Sequence, residues 1–245
     1  MGKFNFKIAD EVLCYEITRR VVLDQLSEYR TFYDDADIFI SPTDEEKTKV
    51  RNKFINDEIL FNKQRRHHPP ADVEFHTLHY LTAREFVKRG ILLVHGSAVV
   101  ADGKAYLFIA PSGTGKSTHT RLWLEALGDR AYIINDDKQM IRITDNGAVV
   151  YSTPWGIIKK PEKSEKAPLA AVISLERGDE NKITPALQEE LFLPLFKASL
   201  RGETVEETAR IAALQQKLLG SARLYTMKCT PTIDAAKTAI NELVK

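Results

Sequence analysis

The chain reads as an α/β protein with a mixed, largely antiparallel sheet flanked by helices. Three observations lead to this. Apolar runs of strand length recur between turn signals. Two of them, Ile91 to Val100 and Ala105 to Ile109, are joined by the hairpin pair Asp102-Gly103. Amphipathic runs of helical period are interleaved with them, at 73–89, 117–127, 187–199, 203–219 and 232–244.

Taken in order, Phe4 to Ile8 and Val12 to Ile17 are strand-like and are split by the polar Asp10-Glu11. Asp37 to Ser41 gives a third strand, and Thr43 with Glu46 three residues on has capping-box spacing. Lys63 to Pro70 is polar and ends in two prolines, which marks a boundary. A small β-rich region is therefore expected over residues 1–65, and a larger domain over 66–245. Within the larger domain, Val73 to Arg89 predicts a helix that buries Phe75, Leu78, Leu81, Phe86 and Val87 and stops at Gly90. After the hairpin, a helix from Ser117 to Leu127 ends at Gly128. Ala131 to Ile134 then re-enters the sheet and leads into Asn135-Asp136-Asp137. Gln139 to Ile143, a turn at Asp145-Asn146-Gly147, and Ala148 to Tyr151 continue the sheet. Leu169 to Leu175 is a buried strand, and Leu224 to Met227 is a short strand between the last two helices, the second of which has Thr232 as its N-cap.

Composition narrows the function classes. The formal net charge is +1, which provides no global attraction to nucleic acid or to a membrane surface. No run approaches the roughly 18 apolar residues of a membrane helix, and the N-terminus lacks the apolar core of a signal peptide. The two cysteines, Cys14 and Cys229, are too few for a disulfide framework or a metal site. A cytoplasmic protein is expected.

The chemistry is concentrated at residues 110–118, Ala-Pro-Ser-Gly-Thr-Gly-Lys-Ser-Thr. This is a phosphate-binding loop, with an apolar strand before it and a helix after it, as the motif requires. Gly113 and Gly115 allow the backbone to turn so that successive amides, from Ser112 through Thr118, face phosphate oxygens at the positive end of the new helix. Lys116 is placed to reach the outer phosphates of a nucleoside triphosphate, and the Ser117 hydroxyl to ligate Mg²⁺. Transfer also needs carboxylates, which Asp136 and Asp137 supply one helix and one strand later. One would join Ser117 on the metal and the other would take the proton of an attacking hydroxyl; the assignment preferred here is Asp136 as base and Asp137 on the metal. His95, alone in an apolar strand, fits a core or edge position as well as a functional one. His119, in the first turn of the helix, would approach the nucleotide or face solvent. His67 and His68 have no partner at metal-ligand spacing.

Together these residues resemble a known family. A strand carrying His95-Gly96, a hairpin, the loop Ser112 to Ser117 and an Asp pair about twenty residues on resemble the catalytic domain of HPr serine kinase/phosphorylase. The likeness covers roughly residues 88–150. It implies a fold related to phosphoenolpyruvate carboxykinase, with His95 and the Asp pair at the phosphotransfer centre and the first Asp, Asp136, as base. It also implies ATP and Mg²⁺ as donor and metal, a serine on a protein or peptide as acceptor, and a homo-oligomer. The Glu-x-Arg-Gly-Leu-Gly-Ile signature of that family is absent from Tyr151 to Ile158. The chain is thus more similar to stand-alone HPr-kinase-like proteins of bacteria, whose acceptors vary.

Thr153-Pro154-Trp155-Gly156 is the candidate acceptor-side loop, in which Trp155 would pack on a ligand or close a turn in the core. Lys159, Lys160, Arg177 and Arg201 are cations that could face a transferring phosphoryl group. The alternatives are a small-molecule kinase and a nucleotide-binding regulatory ATPase without a macromolecular acceptor. A guanine-specific Asn-Lys-x-Asp is not present, since Asn181-Lys182-Ile183 is followed by Thr184.

Overall fold

The computed structural model describes residues 2–33, 35–60, 64, 66–156 and 165–244. Ile157, Ile158, Lys159 and Lys160 lie outside the described residues. The chain divides into two compact units, Met1–Glu85 and Phe86–Lys245. The division falls inside a helix, well past the prolines at which the sequence suggested a boundary.

In the first unit, β1 (Gly2–Ile8) and β2 (Glu11–Ile17) form an antiparallel hairpin, and β3 (Ile38–Ile40) adds parallel to β2. The two turn residues, Ala9 and Asp10, have φ of 51° and 64°, the mirror-image turn that suits strand twist. Between β2 and β3 lies α1 (Arg20–Gln25). Next comes α2 (Asp44–Leu60), opened by the expected capping box: the Glu46 backbone N–H donates to Thr43 Oγ1, and the Thr43 N–H and hydroxyl donate back to the Glu46 carboxylate. Only Val50 and Glu58 of α2 are buried. A helix this polar has no apolar stripe for sequence periodicity to reveal, so a region read as β-rich also contains its longest uninterrupted polar helix.

The helix α3 (Pro70–Val87) starts with proline at its first position, where the missing N–H costs nothing. Its inward face is partly polar. Thr82 shares a hydrogen bond of 2.7 Å with the buried Tyr15 hydroxyl, and Glu74 accepts from the Thr18 backbone and hydroxyl at 2.7 Å each. Leu78, Phe86 and Val87 are buried as expected, whereas Phe75 and Leu81 are half-buried.

The second unit is organised by β4 (Ile91–Ala101) and β5 (Lys104–Ile109), which pair antiparallel through Asp102-Gly103 with φ of 48° and 77°. Then come α4 (Lys116–Leu127), β6 (Ala131–Thr144), β7 (Gly147–Tyr151), β8 (Lys166–Arg177), β9 (Lys182–Pro185), α5 (Gln188–Ala198), α6 (Val205–Gly220), β10 (Arg223–Cys229) and α7 (Ile233–Leu243). The sheet is mixed, in the order β5-β4-β6-β7-β8-β10-β9, and β5 also pairs with β8. β5, β4, β6, β7 and β8 thus form a closed circuit. β5, β8 and β10 run parallel, and the other pairings are antiparallel.

Alternate residues of the central strands serve two cores. Leu107 and Ile109 of β5 join Val94, Val172 and the inner faces of α5 and α6, while Tyr106 and Phe108 join Trp123 of α4, Ile173, Met227 and Ala236 of α7. Burial on both faces explains why β4 and β5 read as continuous apolar runs instead of alternating ones. Among the described residues no helix is long and apolar enough to cross a membrane.

Gly96 in β4 is set by the close approach of β5: a Cβ there would lie 2.8 Å from Leu107 Cδ1 and 2.9 Å from the Phe108 carbonyl oxygen. Gly96→Ala is expected to lower stability by about 1–3 kcal/mol through overpacking. A drop in the thermal midpoint of the purified variant would register it, and an unchanged midpoint would show that β5 can move aside.

Candidate functional site

β5 ends at Ile109, and the Gly-rich loop 110–115 turns the chain into α4. Gly113 and Gly115 have φ of 79° and 118°, which side chains at these positions would strain, and Gly115 caps the helix. Lys116, the first residue of α4, is 8 % exposed. Its Nζ donates to the carbonyls of Ala110 at 2.9 Å and Pro111 at 3.3 Å, so the side chain spans the loop from inside. Burial pushes the Lys116 ammonium below its ordinary pKa, against the upward pull of Asp137 and Asp136. Ser112 and Thr118 are exposed, on the loop and on the first turn of α4.

The Asp pair does not sit at a strand end. β6 runs unbroken from Ala131 to Thr144, and Asn135-Asp136-Asp137 lies within it, opposite Gly96-Ser97-Ala98 of β4. A bulge precedes the pair: Ala98 is opposite Asn135 but Val99 is opposite Ile133. Asp137 has φ 133°, a costly value for a residue with a Cβ. Consecutive side chains of a regular strand point to opposite faces. Here the irregular backbone brings two consecutive carboxylates into the electrostatic neighbourhood of one lysine.

The carboxylates have different partners. Ser117 Oγ donates to Asp136 Oδ1 at 2.7 Å, and Asp136 is 2 % exposed. Asp137 Oδ1 lies 2.9 Å from His95 Nε2 and 3.4 Å from Lys138 Nζ. Burial by itself would raise the Asp137 carboxyl, but the His95 hydrogen bond and the adjacent Lys138 hold it below the ordinary carboxylate value. The His95 side chain is 41 % exposed, so the dyad is open to solvent.

Buried polar contacts brace this arrangement. Gln139 Nε2 donates to the carbonyls of Gly96 and Asn135, tying β6 to β4 across the bulge. Ser97 and Thr120 share a hydroxyl hydrogen bond of 2.8 Å between β4 and α4. Asn135 Nδ2 donates to Thr153 Oγ1 and to the Lys138 carbonyl. A Cβ on Gly156 would meet Asn135 Oδ1 at 2.0 Å. Thr153 is therefore buried support behind the bulge, and Trp155 is buried, in keeping with the core position that was one of its two readings.

His119 belongs to the core, contrary to both expectations for it. It is 3 % exposed, packs edge-on to Phe108 and accepts a hydrogen bond from Trp123 Nε1 at 3.2 Å. Burial lowers its pKa from 6.5 to about 4. The unfolded chain therefore binds this proton over an interval in which the folded chain does not. The contribution is complete above pH 6.5 and is lost as pH falls towards 4, a difference of about 3 kcal/mol. His119→Gln is expected to flatten stability over that interval relative to wild type, as read from unfolding midpoints at a series of pH values. Parallel curves for the two proteins would contradict it. His68 lies 3.1 Å from Glu58 Oε1 in the first unit.

Two residues enter the site with roles that sequence reasoning did not give them. Lys138, next to Asp137 in the chain, is opposite His95 in the β4–β6 ladder, and its Nζ lies 3.4 Å from the Asp137 carboxylate. Arg177, at the end of β8, reaches the outside of the Gly-rich loop, where its guanidinium donates to the carbonyls of Thr114 and Gly113.

No family model matches the chain. No curated protein matches it either. Among solved structures, the chain is similar to the HPr(Ser) kinase/phosphatase from Coxiella burnetii, with 14 % identity and a TM-score of 0.28 over 51 % of this chain and 93 % of that one.

Proposed function

We propose that the second unit is an ATP- and Mg²⁺-dependent phosphotransferase that moves the γ-phosphate to a hydroxyl, with a serine of a protein or peptide as acceptor. One observation carries this reading: a helix-initiating Lys-Ser behind a Gly-rich turn converges with two adjacent carboxylates, one on the Ser117 hydroxyl and the other paired with an accessible histidine. The serine acceptor is what the sequence resemblance implies.

The loop amides and Lys116 would hold the β- and γ-phosphates in line. Ser117 and Asp136 offer the adjacent hydroxyl and carboxylate oxygens that suit a hard divalent cation. Bound there, Mg²⁺ would offset phosphate charge. The contacts support an assignment of the two carboxylates that is the reverse of the expected one, and we adopt it: Asp136 on the cation side and Asp137 as base. Asp137, ionised at neutral pH and oriented by His95, accepts the proton of the acceptor hydroxyl. The hydroxyl oxygen bonds to the γ-phosphorus, the bond to the bridging oxygen breaks, and ADP leaves with that electron pair.

The test is transfer from γ-labelled ATP with Mg²⁺, using HPr, lysate proteins, peptides and no acceptor. Label on a serine of a discrete protein or peptide supports the reading. Label on a small molecule redirects it to a small-molecule kinase. Phosphate release without transfer redirects it to a regulatory ATPase.

A further inference from the structure

The residues that bind a loop from behind can decide its affinity as much as those that face the ligand. The Gly-rich loop can offer its amides to a ligand only if its own carbonyls find donors elsewhere. Those of Ala110 and Pro111 are taken from within the loop by Lys116, and that of Pro111 also accepts from the Thr114 backbone N–H. Those of Gly113 and Thr114 are taken from outside, by Nη2 and Nε of Arg177. Arg177 belongs to a different element, the last residue of β8, which runs parallel to β5 and pairs with it through Ser174 opposite Ile109. The loop is thus held between its own helix and a neighbouring strand end.

We propose that Arg177 is a positioning residue for nucleotide binding. It bridges two successive loop carbonyls and keeps the loop in the conformation that receives the β-phosphate before any nucleotide arrives. The inference rests on the nucleotide-binding reading of this loop, and goes beyond it in assigning the affinity to a residue outside the motif. A guanidinium suits the task because its fork spans two acceptors at once, while an ammonium is a single point of charge. Neither Gly113 nor Gly115 has neighbours within 4 Å of a would-be Cβ, so packing does not do this work. Preorganisation of this kind lowers the ordering cost of binding. It should therefore appear in the affinity for every nucleotide that carries a β-phosphate, and only weakly in the transfer step.

The experiment compares wild type, Arg177→Ala, Arg177→Lys and Lys116→Ala by calorimetric titration with Mg-ATP and with ADP, alongside ¹⁵N relaxation of the Gly113, Thr114 and Gly115 amides. For Arg177→Ala the expected result is an affinity loss of about tenfold or more for both nucleotides, a KM rise with kcat within about twofold, and loop order parameters falling from a rigid value near about 0.85 towards about 0.6. Arg177→Lys is expected to resemble Arg177→Ala. Wild-type affinity in Arg177→Lys would mean that the charge acts at a distance, and would overturn the bridging role. Unchanged affinity in Arg177→Ala, with Lys116→Ala impaired, would overturn the proposal and leave the nucleotide site standing. If wild type binds neither nucleotide, the nucleotide-binding reading fails. The relaxation data then decide the loop-ordering claim separately: a loop as rigid in Arg177→Ala as in wild type overturns it. A thermal midpoint for each variant excludes unfolding as the cause, and Arg177→Gln, which keeps a neutral donor, replaces Arg177→Ala if the latter is unstable.

Discussion

Lys116→Ala is expected to lower Mg-ATP affinity by about two to three orders of magnitude and to take transfer below detection. The size follows from what the ammonium does in a nearly closed setting. Removing one preorganised donor to developing oxyanion charge typically costs about 10²–10³ in rate, and here the donor is also the group that holds the loop closed from inside. Alanine would leave the Ala110 and Pro111 carbonyls without this partner as well as the phosphates without a counter-charge. Lys116→Arg is not a conservative replacement, since a planar fork must occupy a position where the native side chain is 8 % exposed. Calorimetric titration measures the effect directly. An alanine variant that binds ATP like wild type would show that Lys116 does not hold the phosphates.

Asp137 is expected to separate catalysis from stability. Asp137→Asn should reduce transfer by about 10³ while ATP affinity stays close to wild type, because Ser117, Asp136 and Lys116 keep their contacts. Asp136→Asn should instead weaken the Mg²⁺ dependence. If Asp137→Asn transfers normally and Asp136→Asn does not, the base is Asp136 and the two roles revert. The backbone at Asp137 supplies an independent readout. At φ 133° a Cβ is strained and glycine is not. Asp137→Ala and Asp137→Gly both remove the carboxylate, but only glycine releases the strain. Asp137→Gly should therefore be the more stable of two inactive proteins, by about 1–2 kcal/mol in thermal or denaturant unfolding. Equal stability would mean that the bulge relaxes around any residue.

How much of this was legible in the sequence depends on how local each cause is. The β4–β5 hairpin, the Gly-rich loop and α4 were readable because Asp102-Gly103, Gly113 and Gly115 act within a few residues of themselves. The buried strands and the amphipathic helices α5, α6 and α7 were readable from their apolar patterns. α2 was not, because its stability comes from a cap and charged side chains and not from a stripe. The position of the Asp pair inside β6 was hidden for another reason: two carboxylates in a row look like a strand end, and only the bulge opposite Ala98 allows the strand to continue through them. Residue types pointed to His95, Ser117, Asp136 and Asp137, but their pairing depends on cross-strand register. The clamp of Arg177 depends entirely on it. Residue type left His119 open between nucleotide and solvent and Trp155 between ligand and core, and the burial of both follows from contacts that no local pattern encodes.

The closed circuit of strands has a consequence for the order in which the protein can be made. β4, β5 and β6 are contiguous in the chain and can assemble as soon as they leave the ribosome, bringing His95 beside Asp137 early. The remaining edge of β5 cannot be covered then, because its partner β8 begins only at Lys166. Throughout that interval Ala105-Tyr106-Leu107-Phe108-Ile109 presents open backbone groups on an apolar strand, the kind of edge that recruits other chains. Arrival of β8 closes that edge and delivers Arg177 to the loop in the same step. The shielding of the nascent chain and the bracing of its Gly-rich loop are therefore one late event.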